Sequence, residues 1–261
     1  MKMSKLFFKR DDEDVSLPVK MVNIVFILLL GVGIFIYSLN KTGYPQRWES
    51  ILQYKYRFIS GFWMTLVISF FSLIFSFIIG MISALSSRSK FLPLHYLSKV
   101  YVEAIRSTPL LVQIFVFYYI IATAFKVDNR YFMGILILSL FSGAYISEII
   151  RAGIESIDKN QIETARSLGF TVFQRYVYII FPQVIKRILP PLAGQLVSLI
   201  KDSSLLSVIA VSELTKNVQE VDSINFATIE NYVLLALLYM IMTIPVSYIS
   251  RKLERRFSYE N

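Results

Sequence analysis

Residues 151–187 read RAGIESIDKNQIETARSLGFTVFQRYVYIIFPQVIKR, a polar island in a chain whose other long segments are apolar. Its centre has the marks of a short, well-delimited helix. Asp158 is a suitable N-cap, Gln161 stands three positions on where a capping-box partner belongs, and Gly169 sits where a helix stops in a left-handed residue. About ten residues between those signals make a rod roughly 15 Å long. Ile162, Ala165, Arg166 and Leu168 form no wide apolar stripe, and Lys159 and Glu163 are spaced as an i,i+4 ion pair. Such a helix has too little apolar surface for a core element and too much charge for lipid. It reads as backbone presented to something in the cytoplasm; the plainer alternative is a long loop between spans.

Working outward, the composition fixes the class. Hydrophobic residues make up 55% of the 261, with 21 Phe and 16 Tyr, and they come in blocks long enough to cross a bilayer core of about 30 Å. The reading is an all-α integral membrane protein of the cell membrane, bathed in lipid. Cysteine is absent, which excludes a disulfide framework, a thiolate metal site and a cysteine nucleophile. The net charge of +9 belongs to Lys and Arg flanking the spans and reports topology, not a nucleic acid partner.

In chain order, 1–18 reads as a cytoplasmic N-terminal tail and 19–39 as a retained transmembrane helix. A cleaved signal peptide is the rival, but no A-x-A site follows the run. Residues 40–58 form an external linker with Trp48, Tyr54 and Tyr56 as interfacial aromatics. In the span from Ser60 to Ser86, Ser72, Ser76, Gly80 and Ala84 recur every four residues, as a face for close helix contact or as serines bonding their own i−4 carbonyls. A span from Val100 to Phe125 carries Glu103, Arg106 and the kink-permitting Pro109, and one from Tyr131 to Ile150 ends with Glu148 and Arg151. The apolar pattern resumes from Ile188 to Ile200. Ser212 to Asn231 reads as external and polar, Tyr232 to Ile249 is the last span, and 253–261 is a cytoplasmic tail. With both termini inside, cytoplasmic segments hold 19 of the 27 Lys and Arg and external ones 8, the expected bias for six helices.

Candidate chemistry is sparse. No G-x-x-x-x-G-K-[ST] loop is present to hold phosphates, no H-E-x-x-H, and the lone His95 has no partner for a metal or a triad. No catalytic or metal residue is nominated, the chain is not read as an enzyme, and any energy source lies elsewhere. Lys201, Asp202, Ser203 and Ser204 sit inside an apolar run, which makes them candidates for a solute path, as is Glu148. The alternatives for Lys201 and Asp202 are a structural pair or side chains that snorkel to the interface.

Glu163-Thr164-Ala165, then Gly169, then Ile180-Phe181-Pro182 resembles the EAA loop of permease subunits of ATP-binding cassette (ABC) importers, with Thr164 and Phe181 as its departures. RSTPLLVQIFVFYY from Arg106, GAYISEIIRAGIESI from Gly143 and KDSSLLSVIAVSELT from Lys201 are similar to the polar amino acid uptake branch, which takes histidine, glutamate, glutamine, arginine, opines or cystine. The resemblance covers roughly residues 55 to 252. It implies a type I permease fold over 59–252, with five core helices plus one extra N-terminal helix and a cytoplasmic coupling loop at 155–182. It also implies an amino acid importer working by alternating access. Partners would be a separate ATPase subunit carrying the ATP and magnesium, a second permease copy, identical or not, and an extracytoplasmic substrate-binding protein. The ATPase-coupling residues would be Asp158, Glu163, Thr164, Ala165, Arg166, Gly169 and Pro182. Glu163 and Arg166 would make polar contacts, Ala165 would permit close approach, Gly169 would supply the turn, and Pro182 would set the angle of return to the membrane. The rival reading is a subunit of an ion-gradient-driven amino acid transporter, which would need intramembrane acidic relays and repeats that the sequence does not display.

Overall fold

The structure, a computed structural model, describes residues 16–258; the first fifteen residues of the expected N-terminal tail and the last three of the C-terminal one lie outside them. The described residues are helical, without strands, and the chain divides into two units, 1–47 and 48–261. The first contains α1 (Leu17–Thr42), entered through Pro18 and closed by Gly43 in the left-handed conformation. The second contains α2 (Trp48–Gln53), α3 (Lys55–Ser86), α4 (Leu92–Arg106), α5 (Leu110–Phe115), α6 (Arg130–Glu155), α7 (Lys159–Ser167), α8 (Val172–Arg175), α9 (Phe181–Asp202), α10 (Leu214–Asn225) and α11 (Thr228–Ser258). Wide π turns extend α5 over Val116–Ala122 and join α8 to α9 over Tyr176–Ile180, and a 3-10 helix, Ser203–Ile209, follows α9. Five described helical stretches are long and apolar enough to cross a membrane, six if α4 and the α5 stretch count as one bent span.

α3 packs along α6 on the small-residue row of α3. Ser72, Ser76, Gly80 and Ala84 are all buried, and the backbones come so close that a Cβ on Gly80 would lie 2.7 Å from Ile146 Cγ2 and 2.9 Å from the Gly143 carbonyl. Only glycine fits there. Both readings of the serines hold. Ser69 and Ser76 donate to the Thr65 and Ser72 carbonyls one turn back, while Ser98 donates to the Ser83 carbonyl and Ser147 to the Ser83 hydroxyl, tying α4 and α6 to α3. Gln195 adds α9 by donating to Ser142. In lipid, where apolar surface gives no drive to association, close approach and hydroxyl bonds of this kind hold helices together.

The expected kinked span from Val100 to Phe125 is a broken one. α4 begins earlier, at Leu92, with Pro93 in its first turn, and the chain turns by 112° between Arg106 and Leu110. Pro109 has no N–H to continue the ladder and keeps Thr108 out of helical conformation. The carbonyls freed by the break are met from within: the Gln113 amide nitrogen donates to Ile105 O at 2.7 Å and Thr108 O at 3.1 Å, and Thr108 Oγ1 to Ala104 O at 2.9 Å. Irregular backbone at membrane depth requires such internal partners.

The two ends of the bundle differ. At one, Ala84, Ile146, Ile150, Ile157, Ile180, Val184 and Ile188 cluster beneath the α7 loop. At the other, the segment expected to be an external polar stretch is a packed helix, α10, with Leu214, Val218 and Val221 buried against Phe58, Ile200 and Leu235. Its amphipathic period escapes notice because the polar Asn217 and the capping Glu213 are buried as well.

Candidate functional site

α7 is a nine-residue helix outside the spans. Asp158 caps it by accepting from the Asn160 N–H at 2.8 Å. Gly169, at φ +82°, ends it in the left-handed region, where its N–H donates to Arg166 O and the Phe170 N–H to Ala165 O. Gln161 does not complete a capping box; its side-chain oxygen accepts from Gln183 at 2.7 Å and pins α7 to the start of α9. A capping box forms instead at Thr171 and Gln174, opening α8. Lys159 and Glu163 form no ion pair among the described residues. The guanidinium of Arg187 reaches back to the Ser156 carbonyl, fixing the chain where it leaves α6.

Ala165 is buried against the chain itself, whereas Glu163, Thr164 and Arg166 are exposed. Sequence reasoning missed a second exposed group at the end of the same rod: Leu168 at 72%, Val172 at 61% and Phe173 at 76% exposure. An apolar cluster thus stands beside charged side chains at this end of the rod. Pro182 lies exposed in the first turn of α9, past the π turn.

Above this loop a cavity of about 910 Å³ opens between α4 and α6. Glu148 lines it. Arg151 grips this carboxylate with a fork, Nε to Oε1 and Nη2 to Oε2, both 2.9 Å, and also holds Glu155 at 2.6 Å. Arg106, the last residue of α4, places Nη1 3.2 Å from Glu148 Oε2 and lies 5.6 Å from the Tyr145 ring centre. Planar paired contacts of this sort fix a guanidinium in orientation as well as in charge. His95 hydrogen-bonds the Ser87 carbonyl at the cavity's edge. Among the described residues no group of three His, Cys, Asp or Glu side chains is placed to hold a metal ion.

The other nominated residues lie elsewhere. Lys201 and Asp202 end α9 and do not pair with each other among the described residues; neighbours in a helix point about 100° apart. Ser203 and Ser204 turn their hydroxyls to the carbonyls of Ile200 and Lys201. They do not line the cavity around Glu148, so the sequence candidates fall into two groups. A further site escaped the sequence: Glu213, fully buried between the spans, caps α10 by accepting from the Thr215 and Lys216 N–H groups at 2.9 and 2.7 Å. Tyr239 donates to it at 3.1 Å and Thr65 at 3.5 Å, joining α11 and α3 to α10. Burial outweighs these donors and pushes its carboxyl up to about 7.

The family of binding-protein-dependent transport system inner membrane components matches this chain over residues 76–259. The chain is 39% identical over 204 residues to the probable glutamine ABC transporter permease protein GlnM of Bacillus subtilis, covering 77% of this chain and 94% of that one. It is 39% identical over 212 residues to the L-cystine transport system permease protein TcyB of the same organism (80% and 90% covered). To the glutamine transport system permease protein GlnP of Escherichia coli K12 it is 35% identical over 212 residues (80% and 96%). Among solved structures, an amino acid ABC transporter with histidines superposes with a TM-score of 0.76 at 36% identity over 82% of this chain and all of that one. The inward-facing methionine transporter MetNI shares the fold, with a TM-score of 0.62 at 18% identity, covering 76% of this chain and 96% of that one. The extent of these matches, over the same blocks that carry the resemblance in sequence, places the chain in the family of binding-protein-dependent transport system inner membrane components, the permeases of ABC importers, within the polar amino acid uptake branch.

Proposed function

We propose that this chain is the membrane-spanning half of an ATP-driven amino acid importer that works by alternating access and takes its energy from a separate ATPase subunit docked on α7. The observation that carries this reading is the rod itself: nine residues, capped at Asp158, stopped at Gly169, and exposing Glu163, Thr164, Arg166 and Leu168 away from the chain. Polar contacts would come from Glu163 and Arg166. Close approach, expected of Ala165, passes to Leu168 and Phe173, because Ala165 faces inward.

Nucleotide-driven movement of the docked rod would reach the spans through two stiff links, the Arg187 to Ser156 contact at the end of α6 and the Gln161 to Gln183 contact at the start of α9. A cavity whose opening alternates between the two sides is then a two-state element biased by the partner's nucleotide state. A second permease copy would complete the path, and a binding protein would deliver the amino acid on the side of α10.

The test is reconstitution. The chain, co-expressed with the ATPase subunit and second permease of its own transport system, should copurify with them. In proteoliposomes supplied with the binding protein it should take up labelled amino acid with ATP and not with ADP. Uptake driven by an ion gradient without nucleotide would overturn the reading.

A further inference from the structure

The cavity beside α4 contains more charge than its ion pairs consume. Arg151 already satisfies both oxygens of Glu148 through its fork, so Arg106 is an additional cation on an anion that is met without it. Its side chain is 44% exposed against 27% for Glu148, and a single nitrogen touches the carboxylate, at 3.2 Å. A guanidinium carries five N–H groups in a rigid fork, and most of this one remains available. One turn back on α4, Glu103 also lines the cavity, and its carboxylate makes no ion pair among the described residues. Residues three apart on a helix lie about 5–6 Å from each other at Cβ, yet these two opposite charges do not close on one another. An exposed cation and an exposed anion thus stand one helical turn apart at the edge of the broken span, the cation oriented from behind by Glu148 and Tyr145. A volume of about 910 Å³ is ample for a small solute.

We propose that Arg106 and Glu103 form the head-group site for the transported amino acid, Arg106 receiving the α-carboxylate and Glu103 the α-ammonium. Glu148 and Arg151 are positioning residues: they hold the Arg106 fork toward the cavity. The assignment rests on the amino acid importer reading and deepens it by naming which atoms of the solute are recognised. It also accounts for tolerance of different side chains, since the head group is common to every α-amino acid and the rest of the cavity is left to the side chain. Placement at the end of α4 gives the site a mechanical consequence: Arg106 and Glu103 share one helix, so turning about the 112° break carries the pair as a unit relative to α5.

The experiment uses the whole permease–ATPase complex in detergent, without the binding protein. It measures direct binding of L-glutamine, L-arginine, L-histidine and L-cystine, each beside its decarboxylated counterpart (4-aminobutanamide, agmatine, histamine and cystamine) and beside the matching carboxylate that lacks the α-amino group. For the amino acid that the wild-type complex binds and takes up, the decarboxylated form should bind at least tenfold more weakly. R106Q should erase that difference, R106K should restore part of it, and E148Q should weaken binding while leaving the discrimination in place. E103Q should erase the preference for the free ammonium, an arm that stands even if R106Q fails to fold. A wild-type complex that binds both forms equally, or an R106Q or E103Q complex that still discriminates tenfold, overturns the assignment. Absence of ATP-dependent amino acid uptake by the wild-type complex is a different failure: it sinks the importer reading, and this site with it.

Discussion

Replacing Glu213 with glutamine tests whether burial or hydrogen bonding governs the junction of α3, α10 and α11. Four donors converge on this carboxyl, two of them backbone N–H groups, which favours the ionised form; burial without solvent disfavours it and wins, lifting the group from its ordinary 4.5 to about 7. At about 1.4 kcal/mol for each tenfold, that rise is worth roughly 3 kcal/mol. The folded protein therefore holds a proton here that the unfolded chain has given up between pH 4.5 and 7. Stability from this group is complete below pH 4.5 and is lost as pH rises through 7. Glutamine is a neutral isostere that does not titrate. Near pH 4.5 the variant should be less stable by about 1 kcal/mol, because an amide N–H now opposes one of the backbone donors. By pH 8 the difference should have moved by roughly 3 kcal/mol in the variant's favour. Denaturant unfolding of the detergent-solubilised protein at a series of pH values measures this, and subtracting the two profiles cancels every other carboxyl. Parallel profiles would refute the reasoning.

Three further perturbations separate the parts of the structure. G169V should cut ATP-dependent uptake while leaving the stability of the spans unchanged, since a Cβ there meets nothing within 4 Å and only the φ of +82° resists; the left-handed penalty is about 1–2 kcal/mol for an ordinary residue, and G169N should be milder. Full uptake by G169V would count against a docked α7. G80A should destabilise by about 1–3 kcal/mol by forcing α3 and α6 apart, whereas G194A, with nothing within 4 Å, should fall within about 0.5 kcal/mol; the same denaturant series reads both. Q113L should cost about 1–3 kcal/mol by stranding the carbonyls of Ile105 and Thr108, and a loss below 0.5 kcal/mol would mean that the break finds other partners.

Much of this was legible in the residues, for stated reasons. Local signals report local structure, so Asp158 and Gly169 delimit α7 as their chemistry requires, and the four-residue repeat from Ser72 to Ala84 marks the face on which α3 meets α6. What stayed hidden depends on the chain's return through space. Pro109 announces an interruption but not its size, because the 112° turn is stabilised by Gln113 four residues on. Ala165 looked like a surface residue on a polar helix, and only the return of the chain into α9 decides which side of α7 is covered. Lys201 and Asp202 suggest a pair by adjacency, although adjacent helical positions diverge. Glu213 gives no signal at all, since its partners Thr65 and Tyr239 lie 148 and 26 residues away.

The hydroxyls along α3 bear on how such a protein is made. Ser69 and Ser76 each satisfy themselves on a carbonyl of their own helix, so these two hydroxyls are met when α3 stands alone in the bilayer, whereas Ser72 and Thr65 find their partners, the Ile135 carbonyl and Glu213, only on assembly. Docking then seats the glycine at position 80 in its notch against Ile146 and the Gly143 carbonyl. Entry into the bilayer and docking are thus separate steps for the self-bonded serines, while the bonds of Ser72 and Ser83 to α6 form only once that later helix is in place.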